Sequence, residues 1–441
     1  MNMARRFSGR RVTLFLAAVL LLGACGRGVS EQRVASRGSE PGAGVTEGTL
    51  PTEATTSTTA AEPPTTVPAE PATTTSSVAP APPSSSATTT TTATTTVAPG
   101  AGDPCSSPTV TEFPLSTPGG KPTELAVAPD GAVWFTDNGR AAVGRLALDG
   151  SVRMFPLSLN RQPAGIGVGP GGDIWFTQYA WYGAGRSPVP GAPPPDPATI
   201  GLPAIGRISA DGTVSEFPLP TAEGNPMGAP DMGSVPRGIV AGPDGAMWFT
   251  ESGADQIGRI TADGAITEYP LPSRNQVHAF PDGIVLGPDG AIWFAETLYG
   301  ALGRIDVATK AITEHPIGPT GVAGAGLVAK GPDGAFWFGG WDASLGRMTT
   351  AGNPSVFPLS PKVQQVNALI AGPDGRLWVA DDRSATIHRV TTKGAVSKLL
   401  DVPGVPVNDW EALGGLTVGS DRSVWLATPS SNRILRISCA A

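Results

Sequence analysis

The sequence of 441 residues is short of most things that announce a chemistry. It holds three histidines and three cysteines, and only 15% of it is charged. No zinc-type Cys/His spacing, Cys–His pair, Ser–His–Asp order or phosphate-binding glycine loop stands out. The net charge of −7 comes with no basic stripe, which excludes nucleic acid as an expected partner. The apolar stretch at residues 12–22 is too short to cross a bilayer as a mature helix.

That stretch follows Arg5, Arg6, Arg10 and Arg11 and ends in Leu22-Gly23-Ala24-Cys25. Residues 1–25 therefore read as an export signal of lipoprotein type, Cys25 taking the lipid and becoming the new N-terminus. The alternative is an ordinary secretory signal with a chance cysteine. Lipid on Cys25 anchors a protein to the outer side of a membrane without spanning it, so the expected location is extracytoplasmic. Residues 26–104 are runs of Thr, Pro, Ser and Ala. They lack the apolar groups that offset chain ordering and read as a disordered stalk. Folding is expected over residues 105–441, roughly 335 residues, enough for one large domain with a sizeable core. A monomer is expected.

What is abundant is repetition. Gly242-Pro243-Asp244-Gly245 runs into Met247-Trp248-Phe249-Thr250-Glu251, and the phrase returns before Trp293 and Trp337. Weaker copies centre on Trp134, Trp175, Trp378 and Trp425. Apart from the longer interval between Trp175 and Trp248, the spacing is close to the ~40–45-residue period of a four-stranded propeller blade. Residues 238–241 read as a short inner strand and Pro243-Asp244-Gly245 as its hairpin turn. Residues 247–250, 257–260 and 266–271 supply the remaining strands, with Pro270 suited to an outer edge. The fold class is all-β: a seven-bladed β-propeller of four-stranded blades.

The last unit has three strands, at 416–418, 423–427 and 434–438, and no fourth. An orphan fourth strand, Val110-Thr111-Glu112-Phe113-Pro114-Leu115, stands at the start of the domain. It is expected to complete the last blade and close the ring. Alignment of the strands sets Cys439 at the position of Ala262 and Cys105 at that of Thr261, both in the turn between strands three and four. A Cys105–Cys439 disulfide should therefore replace that hairpin.

The phrases Trp248-Phe249-Thr250-Glu251, Ile257-Gly258-Arg259-Ile260-Thr261 and Ile266-Thr267-Glu268-Tyr269-Pro270-Leu271-Pro272 resemble the virginiamycin B lyase family over residues 109–438. The resemblance implies a seven-bladed propeller that linearises streptogramin B antibiotics by a metal-dependent elimination. It also implies histidines in a Pro-His-(Gly/Ala)-Ile context at the start of inner strands, with glutamates that hold magnesium. In this chain those slots read Pro163-Ala164-Gly165-Ile166, Pro236-Arg237-Gly238-Ile239 and Pro281-Asp282-Gly283-Ile284. The later ones read Gly324-Ala325-Gly326-Leu327, Val366-Asn367-Ala368-Leu369 and Leu413-Gly414-Gly415-Leu416. No histidine occupies any of them, so the family's general base is not at its place.

Loop lengths separate the two faces. Turns between strands one and two, and between three and four, are tight. The remaining connections vary and share the opposite face, where binding usually lives. The residues after the Trp strands are Asp137, Gln178, Glu251, Glu296, Gly340, Asp381 and Thr428, expected to ring the channel mouth on that face. Glu251, Glu296 and Asp381 are the candidate ligands for Mg²⁺ or Ca²⁺ through oxygen atoms; a solvated polar rim is the alternative. His315 and His388 replace Tyr269 and Gly258 of the repeat and read as structural. His278 lies in a variable connection and is the candidate base, with Asp282 and Glu296 as expected neighbours. Trp181, Tyr182, Arg237, Asp282, Trp341 and Trp410 are the candidate ligand contacts. The leading reading is a ligand-binding or interaction module for a small molecule or envelope component. The alternative is a metal-dependent lyase or lactonase-like hydrolase.

Overall fold

The computed structural model describes residues 103–115, 118–157, 161–180, 202–220, 234–275, 277–318, 322, 324–340, 343–409 and 411–440. The lipoprotein-type segment with Cys25, the stalk, and the candidates Trp181, Tyr182, Trp341 and Trp410 lie outside these residues.

Seven antiparallel sheets of four strands make up the fold. Blades 1 to 6 span 122–156, 161–218, 236–270, 281–316, 327–358 and 368–401. In each, the strands follow in order from the inside outward. Blade 7 takes Leu416–Val418, Val424–Thr428 and Arg433–Ser438 from the end of the chain and Thr109–Pro114 from its start. That first strand is the outer edge of blade 7, with Thr109 opposite Ser438 and Pro114 opposite Arg433. Cys105 and Cys439 are bonded just beyond the paired strands. Asp103 adds a second clasp: Arg389 and Arg376 each donate to its carboxylate, at 2.7 and 2.8 Å, and hold it well below the usual carboxylate range.

The repeated phrase is the repeated packing unit, and blade 3 shows each residue's part. Trp248 faces blade 4 and packs with Ile292 and Phe294. Its indole N–H donates to Asp244 Oδ1 at 3.0 Å, and Arg259 Nε donates to Oδ2 at 2.7 Å. The turn aspartate and the strand arginine pair in all seven blades. The next residue, Phe249, faces blade 2 and lies flat on Gly258; a β-carbon there would fall 2.1 Å from the ring. Thr250 Oγ1 accepts from Gly238 N at 3.0 Å and donates to Asp282 O in blade 4 at 2.7 Å, stitching adjacent inner strands.

The two histidines that break the repeat are packing residues. His315 stacks on Trp293 with ring centroids 5.2 Å apart, as Tyr269 does on Trp248 at 5.7 Å. His388 is buried in blade 6 and its Nε2 lies 2.7 Å from Thr386 Oγ1. Burial lowers the pKa of both imidazoles.

Candidate functional site

The variable face is built from the starts of the inner strands and the ends of the second strands. In blades 1 to 4 the inner strand bulges between a proline and the residue three further on, as between Pro236 and Ile239. A bulge turns side chains out of the ladder. Arg237 and Asp282 sit in two of these bulges, at the start of the inner strands of blades 3 and 4.

The residues at the ends of the Trp strands do not form an open rim. Asp137, Gln178, Glu251, Glu296, Asp381 and Thr428 are fully buried, and Gly340 is buried as well. The reason is strand alternation. Glu251 shares a side with Phe249, so it points into the space between blades and lies beneath the loops. Asp137 shows what such a residue does: it accepts from the backbone N–H of Lys121 at 2.8 Å and of Gly139 at 3.0 Å, and from Arg140 Nη1 at 2.7 Å. Asp381 likewise takes the N–H groups of Gln364 and Arg383. Glu251 accepts from Ser234 and from Gln256, and burial, reinforced by Glu268, pushes its pKa up to about 8. In Glu296 burial, with Glu314 and Asp255, does the same to about 9, and neither carboxyl oxygen has a partner among the described residues. These are loop-fastening and buried acids.

The metal implied by the family resemblance does not fit them. Among the described residues, only Asp103, Cys105 and Asp374 bring three ligand atoms within sharing distance. Cys105 is locked in the disulfide, and both aspartates are bound by Arg389. Glu251, Glu296 and Asp381 come from blades 3, 4 and 6 and form no such group.

His278 is held by a residue that sequence reasoning missed. Its Nδ1 lies 2.6 Å from Oδ2 of the buried Asp255, while Oδ1 accepts from Phe280 N at 2.8 Å. Asp255 and Phe280 both adopt left-handed backbone, with φ of 50° and 55°. Asp255 fills the turn position held by Ala141, Gly300 and Ala385 in other blades, and that break in the repeat was its only signal. The ring of His278 packs edge-on to Phe280, and its Nε2 is enclosed with no partner among the described residues. The pair clasps a loop. It has the shape of an oriented base, but the nitrogen that would act is shut in.

The other cluster lies between blades 2 and 3. The first two strands of blade 2 extend further than elsewhere, pairing Arg161 with Ala180 and Gln162 with Tyr179. Tyr179 Oη donates to Gln162 Oε1 at 3.1 Å, and Arg161 Nη1 donates to Glu216 at 2.8 Å. Arg237 is 8% exposed. Its guanidinium lies over the Tyr179 ring, 5.7 Å from the centroid, and Nε has no acceptor among the described residues. No carboxylate among the described residues pairs with it. Asp282, one blade on, turns its carboxylate towards Gly326, where a β-carbon would be 3.1 Å from Oδ2. Taking a charge out of water costs several kcal/mol, against about 0.5–2 kcal/mol from a cation–π contact. Arg237 is thus under-compensated.

Fold and site together define a seven-bladed propeller in which Arg237, without a carboxylate partner among the described residues, rests on the Tyr179 ring between blades 2 and 3. The chain belongs to the Virginiamycin B lyase family, whose model matches residues 91–192 and 203–437. A virginiamycin B lyase of Nocardia farcinica is 42% identical over 72 residues, 16% of this chain and 22% of that protein. One of Bordetella parapertussis is 49% identical over 35 residues, 8% of this chain and 12% of that one. The matched stretches therefore span under a quarter of these relatives' length. A solved streptogramin B lyase structure is 30% identical, covers 75% of this chain and 98% of its own, and has a TM-score of 0.60. A catalytically inactive histidine-to-alanine variant of the Staphylococcus aureus virginiamycin B lyase, solved with quinupristin, is 28% identical. It covers 75% of this chain and 99% of its own, also at 0.60.

Proposed function

We propose that this member of the family is a ligand-binding module rather than a lyase, exported and held at the membrane by lipid on Cys25. One observation carries the reading: His278, the histidine of the variable face, has its one unbonded nitrogen buried, and no histidine stands in the family's slots. The inner-strand slots hold Ala164, Arg237, Asp282, Ala325, Asn367 and Gly414 instead. His278, the one histidine of the variable face, is tied to Asp255 with Nε2 enclosed. A general base must reach the proton it removes. What remains at the mouth suits recognition: Arg237, Tyr179 and Asp282 are groups that bind and orient.

Incubation of the full chain with a streptogramin B and Mg²⁺, followed by mass spectrometry, is expected to give no ring opening above the protein-free control. The His278–Asp255 pair favours a second reading, a base released by movement of its loop. Turnover that disappears in His278→Ala would establish that reading and overturn the first. Palmitate labelling that is lost in Cys25→Ala is the expected result for the anchor.

A further inference from the structure

We propose that the lip between blades 2 and 3 recognises the carboxylate of a small organic ligand, with Arg237 as the residue that binds it. The inference rests on the reading of this face as a binding surface and names the chemistry of what it takes. Arg237 is more than nine-tenths buried, yet no acidic partner reaches it among the described residues. The other deeply buried arginines of the fold are matched: Arg161 by Glu216, and Arg389 by Asp103 and Asp374. Asp282 stands on the neighbouring inner strand and faces the other way. The position is fixed from below, because Arg237 O accepts from Thr177 Oγ1 at 2.6 Å across the blade boundary. The backbone of Arg237 is thus fixed and its guanidinium rests on the Tyr179 ring, and preorganisation of this kind lowers the ordering cost of binding.

Three features select a carboxylate among anions. A guanidinium edge matches the two oxygens of a planar carboxylate. The Tyr179 ring beneath the guanidinium offers an apolar wall to the body of the ligand, while its hydroxyl is anchored on Gln162. A single cation suits one negative charge and leaves a dianion such as phosphate under-neutralised.

Calorimetric titration of the full chain with benzoate and with its neutral counterpart benzamide tests this. Benzoate is expected to bind, with benzamide roughly ten- to hundred-fold weaker. That preference should vanish in Arg237→Met, shrink in Arg237→Lys, and vanish also in Arg237→Gln, with circular dichroism confirming the fold of each. Equal binding of the two probes, no binding of benzoate, or a preference that survives removal of the charge overturns the proposal. Tighter binding of inorganic phosphate than of benzoate overturns the choice of carboxylate. Binding of benzamide alone sinks the carboxylate while leaving the binding-module reading intact. Streptogramin turnover would sink that reading and leave the Arg237 result standing.

Discussion

Val379 faces His388 across the second and third strands of blade 6, at the register where Phe249 faces Gly258 in blade 3. The two pairs solve one packing problem in opposite ways. In blade 3 the ring comes from the second strand and the third strand makes room with a glycine. In blade 6 the ring comes from the third strand, and the second strand makes room with a valine. Interiors are close-packed, so each residue is acceptable only beside its partner. Val379→Phe alone should overpack the blade and cost about 1–3 kcal/mol. His388→Gly alone should leave a void and cost about 2–4 kcal/mol. Combined, they should restore the arrangement of blade 3 and cost less than the sum by more than about 1 kcal/mol. Urea denaturation of the four proteins checks this, and strict additivity would refute it.

The ring is closed by a single outer strand and the bond between Cys105 and Cys439, residues 334 apart in sequence. Closing so long a loop restricts the unfolded chain by about 6 kcal/mol in the chain-entropy account. Cys105→Ser with Cys439→Ser should therefore lower the unfolding free energy by several kcal/mol, and reductant should move the wild type towards the double variant. A loss below about 1 kcal/mol would mean that the strand pairing and the Asp103 clasp close the ring unaided.

The blades, the N-terminal strand in blade 7 and the disulfide were all legible because strand grammar is local. A turn, an apolar strand and a second turn fix which element comes next, and one missing element points to one orphan. The site was less legible. Glu251 and Asp381 were placed correctly at strand ends, but their side was misjudged. Alternation from Trp248 puts Glu251 with Phe249 and under the loops, and counting two residues back from the glutamate would have revealed it. The partner of His278 was harder to find. Asp255 reaches it from a turn in left-handed backbone, and no period of two or of a blade encodes where such a side chain points. Arg237 was chosen for its slot, whereas what distinguishes it is the lack of a carboxylate partner among the described residues, a property of three dimensions only.

Glu296 yields the remaining prediction. It is fully buried between blades 3 and 4, its oxygens are unpaired among the described residues, and Glu314 and Asp255 add like charge nearby. Its folded pKa of about 9 stands above the usual 4.5. The native state therefore keeps the proton that the unfolded chain gives up. Relative to alkaline solution, Glu296 contributes stability that is complete below pH 4.5 and is lost progressively as the pH rises towards about 9. Glu296→Gln keeps the shape and cannot ionise, so it should remove that decline. At pH 8 the variant should be more stable than the wild type by more than about 1 kcal/mol, and at pH 4 the two should converge. Glu251→Gln should show the same sign with a smaller gain, because the amide would lose part of the hydrogen bonding that the carboxyl accepts from Ser234 and Gln256. Chemical denaturation at pH 4, 6 and 8 measures both. A Glu296→Gln variant that is no more stable at pH 8 would mean that the carboxylate is tolerated in this place, through water or a cation reaching it from the loop above.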